Sequence, residues 1–159
     1  MTVSVRAMRA EDARAFFDVH RAAIREIAAA DYPAAVIEAW APPVTDAHVE
    51  QLLANPDGEV RLVAEIDGRI VGMGAIVPAN AELRACYVAP DAARLGVGTA
   101  IVGALEQLAR DHGLAALELD SSLTAEPFYR ALAYVSEGRI THRLRTGQEM
   151  ASVRMWKGL

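Results

Sequence analysis

The segment from Glu82 to Thr99 constrains the fold more than any other part of the chain. Residues Glu82 to Val88 have the pattern of a strand that ends before a proline, and Gly96-Val97-Gly98 then leads into a helix predicted from about Thr99 to His112. The first N–H groups of a helix lack partners within it, and the helix dipole is positive at that end. The segment therefore predicts an anion site at the start of this helix, with Arg94 adding a charge beside it.

Two well-known phosphate motifs do not explain this segment. The phosphate-binding loop of nucleotide hydrolases is excluded because no Gly-Lys-Ser/Thr follows, and the dinucleotide fingerprint fails because Ile101 stands where its third glycine belongs. A Gly-x-Gly on its own also fits a loop with flexible caps. The rest of the chain is needed to distinguish an anion site from such a loop.

Periodicity along the chain predicts an alternation of a few helices with many strands. The predicted strands are Val3 to Met8, Glu59 to Ile66, Arg69 to Val77, Glu82 to Val88, Ala115 to Leu119, Tyr134 to Leu144 and Glu149 to Trp156. The predicted helices run from Ala10 to about Ala29, from Pro33 to Trp40, from the N-cap Thr45 to about Leu53, from about Thr99 to His112, and from Thr124 to Leu132. This order predicts an α/β (α+β) fold with a mixed, mostly antiparallel central sheet of about seven strands, flanked by four to five helices.

Composition limits the class of protein. A chain of 159 residues, 53% of them hydrophobic, predicts a single globular domain over residues 1–159. The formal charge of -5 argues against nucleic acid and favours a cationic small molecule over an anion. No apolar run is long enough for a membrane span and no secretory signal is recognisable, so we expect a cytoplasmic protein without a membrane partner. The single Cys86 excludes an internal disulfide and agrees with a reducing compartment.

Two motifs at the expected separation resemble the GNAT superfamily of acyl-CoA-dependent N-acyltransferases. Val88-Ala89-Pro90 followed by Gly96-Val97-Gly98 is similar to the family pattern Val-x-Pro, then Gln/Arg-x-x-Gly-x-Gly/Ala at a helix start. The first position of that pattern is Ala93 here, with arginine one residue later. Downstream, the segment from Phe128 to Tyr134 resembles Phe-Tyr-x-x-x-Gly-Phe, with Ala133 in place of the usual glycine.

The resemblance implies an N-acetyltransferase that uses acetyl-CoA as cosubstrate and needs no metal. It implies transfer to a primary amine of a small molecule or protein, by direct attack in a ternary complex, and a homodimer. The cofactor-binding positions that it indicates are Tyr87, Val88, Arg94, Leu95, Gly96, Val97, Gly98 and Thr99. Backbone groups of Tyr87 and Val88 are expected to serve the thioester, and Arg130 and Thr99 are further candidates for contacts to phosphate.

Acyl transfer from a thioester requires a neutral amine and a proton for the departing thiolate. The resemblance places Tyr129 where the family's phenol points at the sulfur, so Tyr129 is the predicted general acid. Glu82 is the candidate base, because it occupies the offset from Gly98 at which the histone-acetylating branch carries its glutamate. A packed core tyrosine and a solvated glutamate are the structural alternatives.

Other residues are interpreted more simply. Cys86 offers an acyl-cysteine route, but a lone cysteine in a strand is usually packed core, and the resemblance favours direct attack. The histidines have no metal-ligand spacing. The acceptor site is expected in the early helical region, with Tyr32 and Trp40 as candidate walls and Glu26, Asp31 or Glu38 attracting a cation.

Two other functional classes stay open from the sequence. One is a catalytically weak acyl-CoA-binding or regulatory module of the same fold, for which Ala93 is the argument. The other is an unrelated α/β binding protein whose Gly-x-Gly is incidental. Retention of Tyr129 argues for the enzyme.

Overall fold

A computed structural model describes residues 2–159, which form one sheet with helices on both faces. Its strands are β1 Val3–Ala7, β2 Val60–Ile66, β3 Arg69–Val77, β4 Glu82–Val88, β5 Ala116–Ser122, β6 Val135–Arg143 and β7 Glu149–Gly158. Its helices are α1 Ala13–Glu26, α2 Ala34–Trp40, α3 Asp46–Ala54, α4 Val97–Asp111 and α5 Glu126–Ala131. The strand order is β1-β2-β3-β4-β5-β7-β6, and only the β4–β5 pair is parallel. The predicted mixed, mostly antiparallel sheet is confirmed.

Local signals account for most element boundaries. Thr45 caps α3 by accepting a hydrogen bond from the His48 N–H, as its position before the helix predicts. Asp67 and Gly68 both have positive φ and join β2 to β3 in a tight hairpin. The first helix is shorter than predicted, because α1 ends at Glu26 and a separate 3-10 turn follows over Ala28–Ala30.

The two faces of the sheet carry different cores. Helix α4 packs against one face through Ile101, Val102 and Leu105, each at most 1% exposed. A Cβ placed on Gly74 of β3 would lie only 2.5 Å from an Ile101 methyl carbon. The absence of a side chain at Gly74 therefore allows α4 to pack very close to β3. Helix α1 covers the opposite face, where Phe16 packs with residues of β2 and β3.

A bulge in β4 changes which side chains point to each face. Leu83 pairs with Ile76 and Ala85 pairs with Ala75, so Arg84 is an extra residue between them. Below the bulge Leu83 belongs to the core under α4, whereas above it Ala85 belongs to the core under α1. The bulge therefore places Glu82 on the same face as Tyr87, which a regular strand would not do.

Strands β4 and β5 separate after a single point of contact. Their only register pair is Glu82 with Glu118, at the start of β4, and an N–H···O bond from Glu118 to Ala81 supports it. Beyond that pair β5 bonds to β7 on its other side, while β4 remains bonded to β3. The sheet therefore opens between the C-terminal halves of β4 and β5.

Candidate active site

The loop before α4 presents a run of free backbone N–H groups. Within residues 2–159, the N–H groups from Arg94 to Thr99 donate to no backbone or side-chain acceptor, and the first helical bond runs from Ala100 N–H to Gly96 C=O at 3.0 Å. Arg94 and Gly96 have φ of 64° and 81°, and such left-handed residues turn successive N–H groups toward one concave surface. The loop has the geometry that binds phosphate groups at a helix start.

The helix begins two residues earlier than the sequence predicts. Gly96 is its N-cap in the left-handed conformation, which glycine adopts without steric cost, and the buried Val97 is its first residue. Gly98 then lies in the first turn, where a Cβ would come within 3.0 Å of the Phe128 ring. This contact places α5 directly against the free N–H groups of α4.

The opening between β4 and β5 exposes alternate backbone groups of β4. The Ala89 N–H donates to Val71 C=O at 2.8 Å, so the backbone of Ala89 faces β3. Along an antiparallel strand the backbone N–H and C=O groups of successive residues face opposite neighbours in turn. The N–H and C=O of Tyr87 therefore face β3, and those of Val88 and Cys86 face the opening. Val88 thus offers the free backbone groups that were expected, whereas Tyr87 presents its ring instead.

Tyr129 is buried at the junction of this opening with a cleft on the α1 face. Its residue exposure is 6%, and its ring packs against Phe128 and Tyr134 at centroid distances of 5.1 and 5.6 Å. Tyr129 lines the cleft, and its hydroxyl forms no hydrogen bond within the described residues. Burial, with Cys86 and two tyrosines nearby, raises the pKa of Tyr129 well above 10.0, so the phenol carries its proton at neutral pH.

Cys86 lies beside Tyr129 but is not activated. Burial raises the pKa of its thiol to about 12, and its Sγ lies 3.9 Å from the Gly98 carbonyl oxygen. The thiolate is the nucleophilic form of cysteine, and a buried thiol without a cation close by does not form it at neutral pH. Cys86 is therefore a buried thiol rather than an activated nucleophile.

The cleft has a volume of about 800 Å³ and lies between α1, the end of α2 and the strands β4, β5, β6 and β7. Aromatic rings form one wall, where Tyr87 contacts His20 and Trp40 at centroid distances of 4.7 and 6.3 Å. Trp40 is therefore a cleft residue, as expected for an acceptor wall. Tyr32 is a core residue instead, because its hydroxyl donates to Ala151 C=O and accepts from Leu123 N–H.

His20 is a site residue that the sequence did not single out. It lines the cleft next to Tyr87, and within residues 2–159 its ring has no hydrogen-bond partner. Burial lowers the pKa of His20 to about 4, so the ring is neutral at pH 7 and has a free nitrogen lone pair. Its position in the amphipathic α1, four residues after the buried Phe16, looked like ordinary core spacing, and no local motif marks it.

Glu82, at the start of β4, lines the cleft because the bulge places it on the face of the sheet that α1 covers. Its two carboxylate oxygens accept from the Arg84 guanidinium at 2.9 and 3.1 Å. Arg84 also donates to Asp57 at 2.5 Å and to Glu59 at 3.2 Å. Glu82 is thus a paired carboxylate at the cleft rather than an isolated one.

Several predicted residues do not come to the cleft. Glu38 pairs with Arg25, Asp31 accepts from Thr124, and Glu26 is exposed away from the cleft lining. Arg130 pairs with Glu126 on the exposed side of α5. The carboxylates that do line the cleft are Glu59, Glu82, Glu118 and Asp120.

No helix in the described part of the chain has both the length and the hydropathy to cross a bilayer. Likewise, no group of three or more histidine, cysteine, aspartate or glutamate side chains within residues 2–159 has the arrangement to hold a metal ion.

The sequence matches one family model, described as the acetyltransferase (GNAT) family, over residues 21–134. No curated protein matches it in sequence. Among solved structures, it is similar to a protein from Rhodopseudomonas palustris described as a GCN5-related N-acetyltransferase and as a class-II aminotransferase. That pair has 31% identity and a TM-score of 0.90, over 100% of this chain and 97% of the other.

More distant structures share the fold. The PaiA N-acetyltransferase of Thermoplasma acidophilum, solved in complex with coenzyme A, is 17% identical with a TM-score of 0.72 over 100% of both chains. The yncA acetyltransferase of Salmonella typhimurium, solved with its cofactor acetyl-CoA, is 17% identical with a TM-score of 0.73 over 100% of this chain and 95% of the other.

The family match spans the free N–H groups at the start of α4, the opening between β4 and β5, and the buried Tyr129. The chain belongs to the acetyltransferase (GNAT) family.

Proposed function

We propose that the protein transfers an acetyl group from acetyl-CoA to a primary amine by direct attack in a ternary complex. The observation that carries the proposal is the continuity of three features: the N–H groups before α4, the opening between β4 and β5, and the cleft where Tyr129 ends. An anionic, extended donor fits the first two features, and an amine fits the third. The support for coenzyme A comes from the family match and from the ligands named for the two distant structures.

The backbone from Arg94 to Thr99 would hold the pyrophosphate, with Leu95 and Val97 contributing only their N–H groups. Val88 would pair with the extended arm, and the free N–H of Cys86 is a candidate donor to the carbonyl oxygen. This modifies the expectation for Tyr87, whose ring shapes the acceptor wall while its backbone bonds to β3.

In the transfer, the amine nitrogen bonds to the thioester carbon and the carbon–sulfur bond breaks. The amine loses a proton, and the departing thiolate gains one. Tyr129 is suited to supply that proton, because its phenol is protonated at neutral pH and its hydroxyl is free.

Two side chains are candidates for accepting the amine proton. Glu82 lies at the cleft, but Arg84 donates to both of its carboxylate oxygens. His20 is neutral and unpaired, and it contacts the ring of Tyr87. Comparing Glu82→Gln with His20→Gln separates them, because only the variant that removes the acceptor changes the acidic limb of the pH profile of kcat/KM. An unchanged profile in both variants would leave water as the acceptor.

A catalytically weak acyl-CoA-binding module is the second candidate, and Ala93 favours it because the family's Gln or Arg is missing at an exposed position of the loop. A thermal-shift titration with acetyl-CoA, CoA and NAD tests the cofactor, since a ligand specific for the folded state at a hundredfold excess over Kd stabilises it by roughly 2.7 kcal/mol. We expect shifts with acetyl-CoA and CoA but not NAD, and thiol release in the presence of amines. Binding without thiol release for any amine would favour the module, and no binding would contradict both.

We also propose that the protein acts in the cytoplasm as a homodimer. The edge strand β6 and its neighbour β7 carry a cross-strand pair of exposed apolar residues, Val135 at 58% and Trp156 at 42% exposure. Large exposed apolar side chains in contact with each other favour an interface.

A further inference from the structure

A second cavity of about 580 Å³ continues the acceptor cleft between α1, α3 and the β6–β7 turn. The two cavities share part of their lining, including Phe17, His20, Trp40, Glu59, Arg84 and Arg145. A molecule bound in the cleft with its amine toward Tyr129 has room to extend in this direction. The chemistry of the second cavity therefore bears on the acceptor.

All the carboxylates of the two cavities already have cationic partners within residues 2–159. Glu59 bonds to Arg61 at 2.6 Å, and Asp57 and Glu82 bond to Arg84 at 2.5 and 2.9 Å. On the other side of the cleft, Arg154 bonds to both Glu118 and Asp120. Each of the five carboxylates therefore accepts from an arginine, and none is left unpaired for a cationic group, although three arginines balance only three of the five negative charges.

Two arginines of the second cavity have no carboxylate partner. Arg21 on α1 and Arg145 in the β6–β7 turn form no ion pair and no side-chain hydrogen bond within the described residues. The Nε of Arg21 is buried and unpartnered, which is unfavourable for a charged donor. Arg25 donates to both carboxylate oxygens of Glu38 and lowers its pKa, and the charge of Arg21 contributes to this shift without a hydrogen bond.

We propose that Arg21 and Arg145 form a subsite for a carboxylate on the acceptor. The acceptor is then a small molecule that carries an amine and a carboxylate, as an amino acid does, with the amine in the cleft and the carboxylate against the two guanidinium groups. Guanidinium groups bind carboxylates through paired, charge-assisted hydrogen bonds. This is opposite to the preference for a cation that the net charge of -5 predicts, because Arg21 and Arg145 balance the two carboxylate charges that Arg61, Arg84 and Arg154 leave over and have no ion-pair partner of their own.

The inference rests on the proposed function, and matched acceptors test it. Thiol release from acetyl-CoA is measured with L-amino acids and with their C-terminal carboxamides, which keep the amine and remove the carboxylate charge. We expect wild-type kcat/KM to favour the acids. Arg21→Gln and Arg145→Gln should each lower kcat/KM for the acids by about tenfold or more and leave the carboxamides nearly unchanged. Arg110→Gln, on the exposed side of α4 outside both cavities, is the matched control.

A binding measurement keeps the two proposals separate. Stabilisation of the CoA-loaded protein by the same acids and carboxamides is recorded in each variant, so the subsite is tested even if no acetyl transfer occurs. Stabilisation by acids that is lost in Arg145→Gln supports the subsite, and absence of thiol release would then contradict the proposed function alone. Equal behaviour of acids and carboxamides, or no stabilisation by any acid, would overturn the subsite. Because Arg145 is exposed in a turn, its variant is informative even if Arg21→Gln does not fold.

Discussion

At the scale of single residues, the position of the Tyr129 hydroxyl is central to the proposed chemistry. It is the one polar atom of a ring otherwise packed against Phe128 and Tyr134, and it forms no hydrogen bond within residues 2–159. Tyr134 differs in this respect, because its hydroxyl donates to Glu106 at 3.1 Å away from the cleft. The two tyrosines therefore make a matched pair for mutation.

Tyr129→Phe removes the proposed general acid and keeps the packed ring. We expect kcat to fall about 10²–10⁴-fold, the usual contribution of a positioned acid, with acetyl-CoA affinity unchanged. Tyr134→Phe should lose stability but retain kcat, since its hydroxyl serves Glu106. Steady-state kinetics with a CoA-binding titration measure both, and a parallel loss of affinity and kcat in Tyr129→Phe would indicate a packing role instead.

The lowered pKa of His20 leads to a second prediction, which concerns how the free energy of unfolding changes with pH. Its pKa is about 4 in the folded protein against an ordinary value of 6.5, so below pH 6.5 the unfolded chain takes up a proton that the folded one does not. Wild-type stability should therefore fall relative to His20→Gln by on the order of 2–3 kcal/mol between pH 6.5 and pH 4. Denaturant unfolding across this range measures it. Parallel pH dependence in both proteins would show that the ring is not desolvated as described.

At the scale of elements, the start of α4 and the end of α5 both contain a residue with positive φ, but only the first of the two is a glycine. Gly96 begins α4 at a φ of 81°, where glycine is unstrained. Ala133 follows α5 at a φ of 72°, where the family usually has glycine and where an alanine Cβ is strained. The chain thus has glycine at the positive-φ position before α4 and alanine at the one after α5.

Replacing Ala133 with glycine should relieve this strain. We expect Ala133→Gly to stabilise the protein by about 1 kcal/mol, because the left-handed conformation costs roughly that for a residue with a Cβ. Ala131→Gly, at an exposed helical position two residues earlier, should instead destabilise by about 0.5–1 kcal/mol. Chemical denaturation compares them, and a destabilising Ala133→Gly would contradict the strain argument.

At the scale of the whole molecule, the opening of the sheet and the exposed edge have separate consequences. The single β4–β5 register pair makes room for a ligand inside the sheet without removing a strand. At the far edge, β6 has only one neighbour, and Val135 and Trp156 add apolar surface beside it. These features motivate the dimer proposal.

The proposed dimer predicts that Trp156→Ser weakens self-association. Light scattering or sedimentation at several concentrations should give twice the mass of 17.1 kDa for the wild type and a shift toward the monomer for the variant. Leu53→Ser is a suitable control, because Leu53 is also exposed, at 45%, but lies on α3. A monomeric wild type at all concentrations would contradict the proposal.

The sequence was sufficient wherever a property depends on nearby residues. The hairpin at Asp67-Gly68 and the Thr45 cap follow from local backbone preferences, and the mixed, mostly antiparallel class of the sheet follows from hydrophobic periodicity and the resemblance. The cleft-lining positions of Tyr129, Glu82 and Trp40 agree with the expectation from the sequence, while their chemical roles remain predictions.

Only the tertiary structure decided which distant groups meet and which remain unpaired. The bulge at Arg84 puts Glu82 on the cleft face, and alternation along β4 directs the backbone of Cys86 rather than that of Tyr87 into the opening. Burial beside Tyr87 keeps the His20 ring neutral. Likewise, the pairing of the cleft carboxylates with Arg61, Arg84 and Arg154 left Arg21 and Arg145 unpaired. Net charge and spacing are sums along the chain, whereas desolvation and ion pairing depend on distances across it, which no single segment encodes.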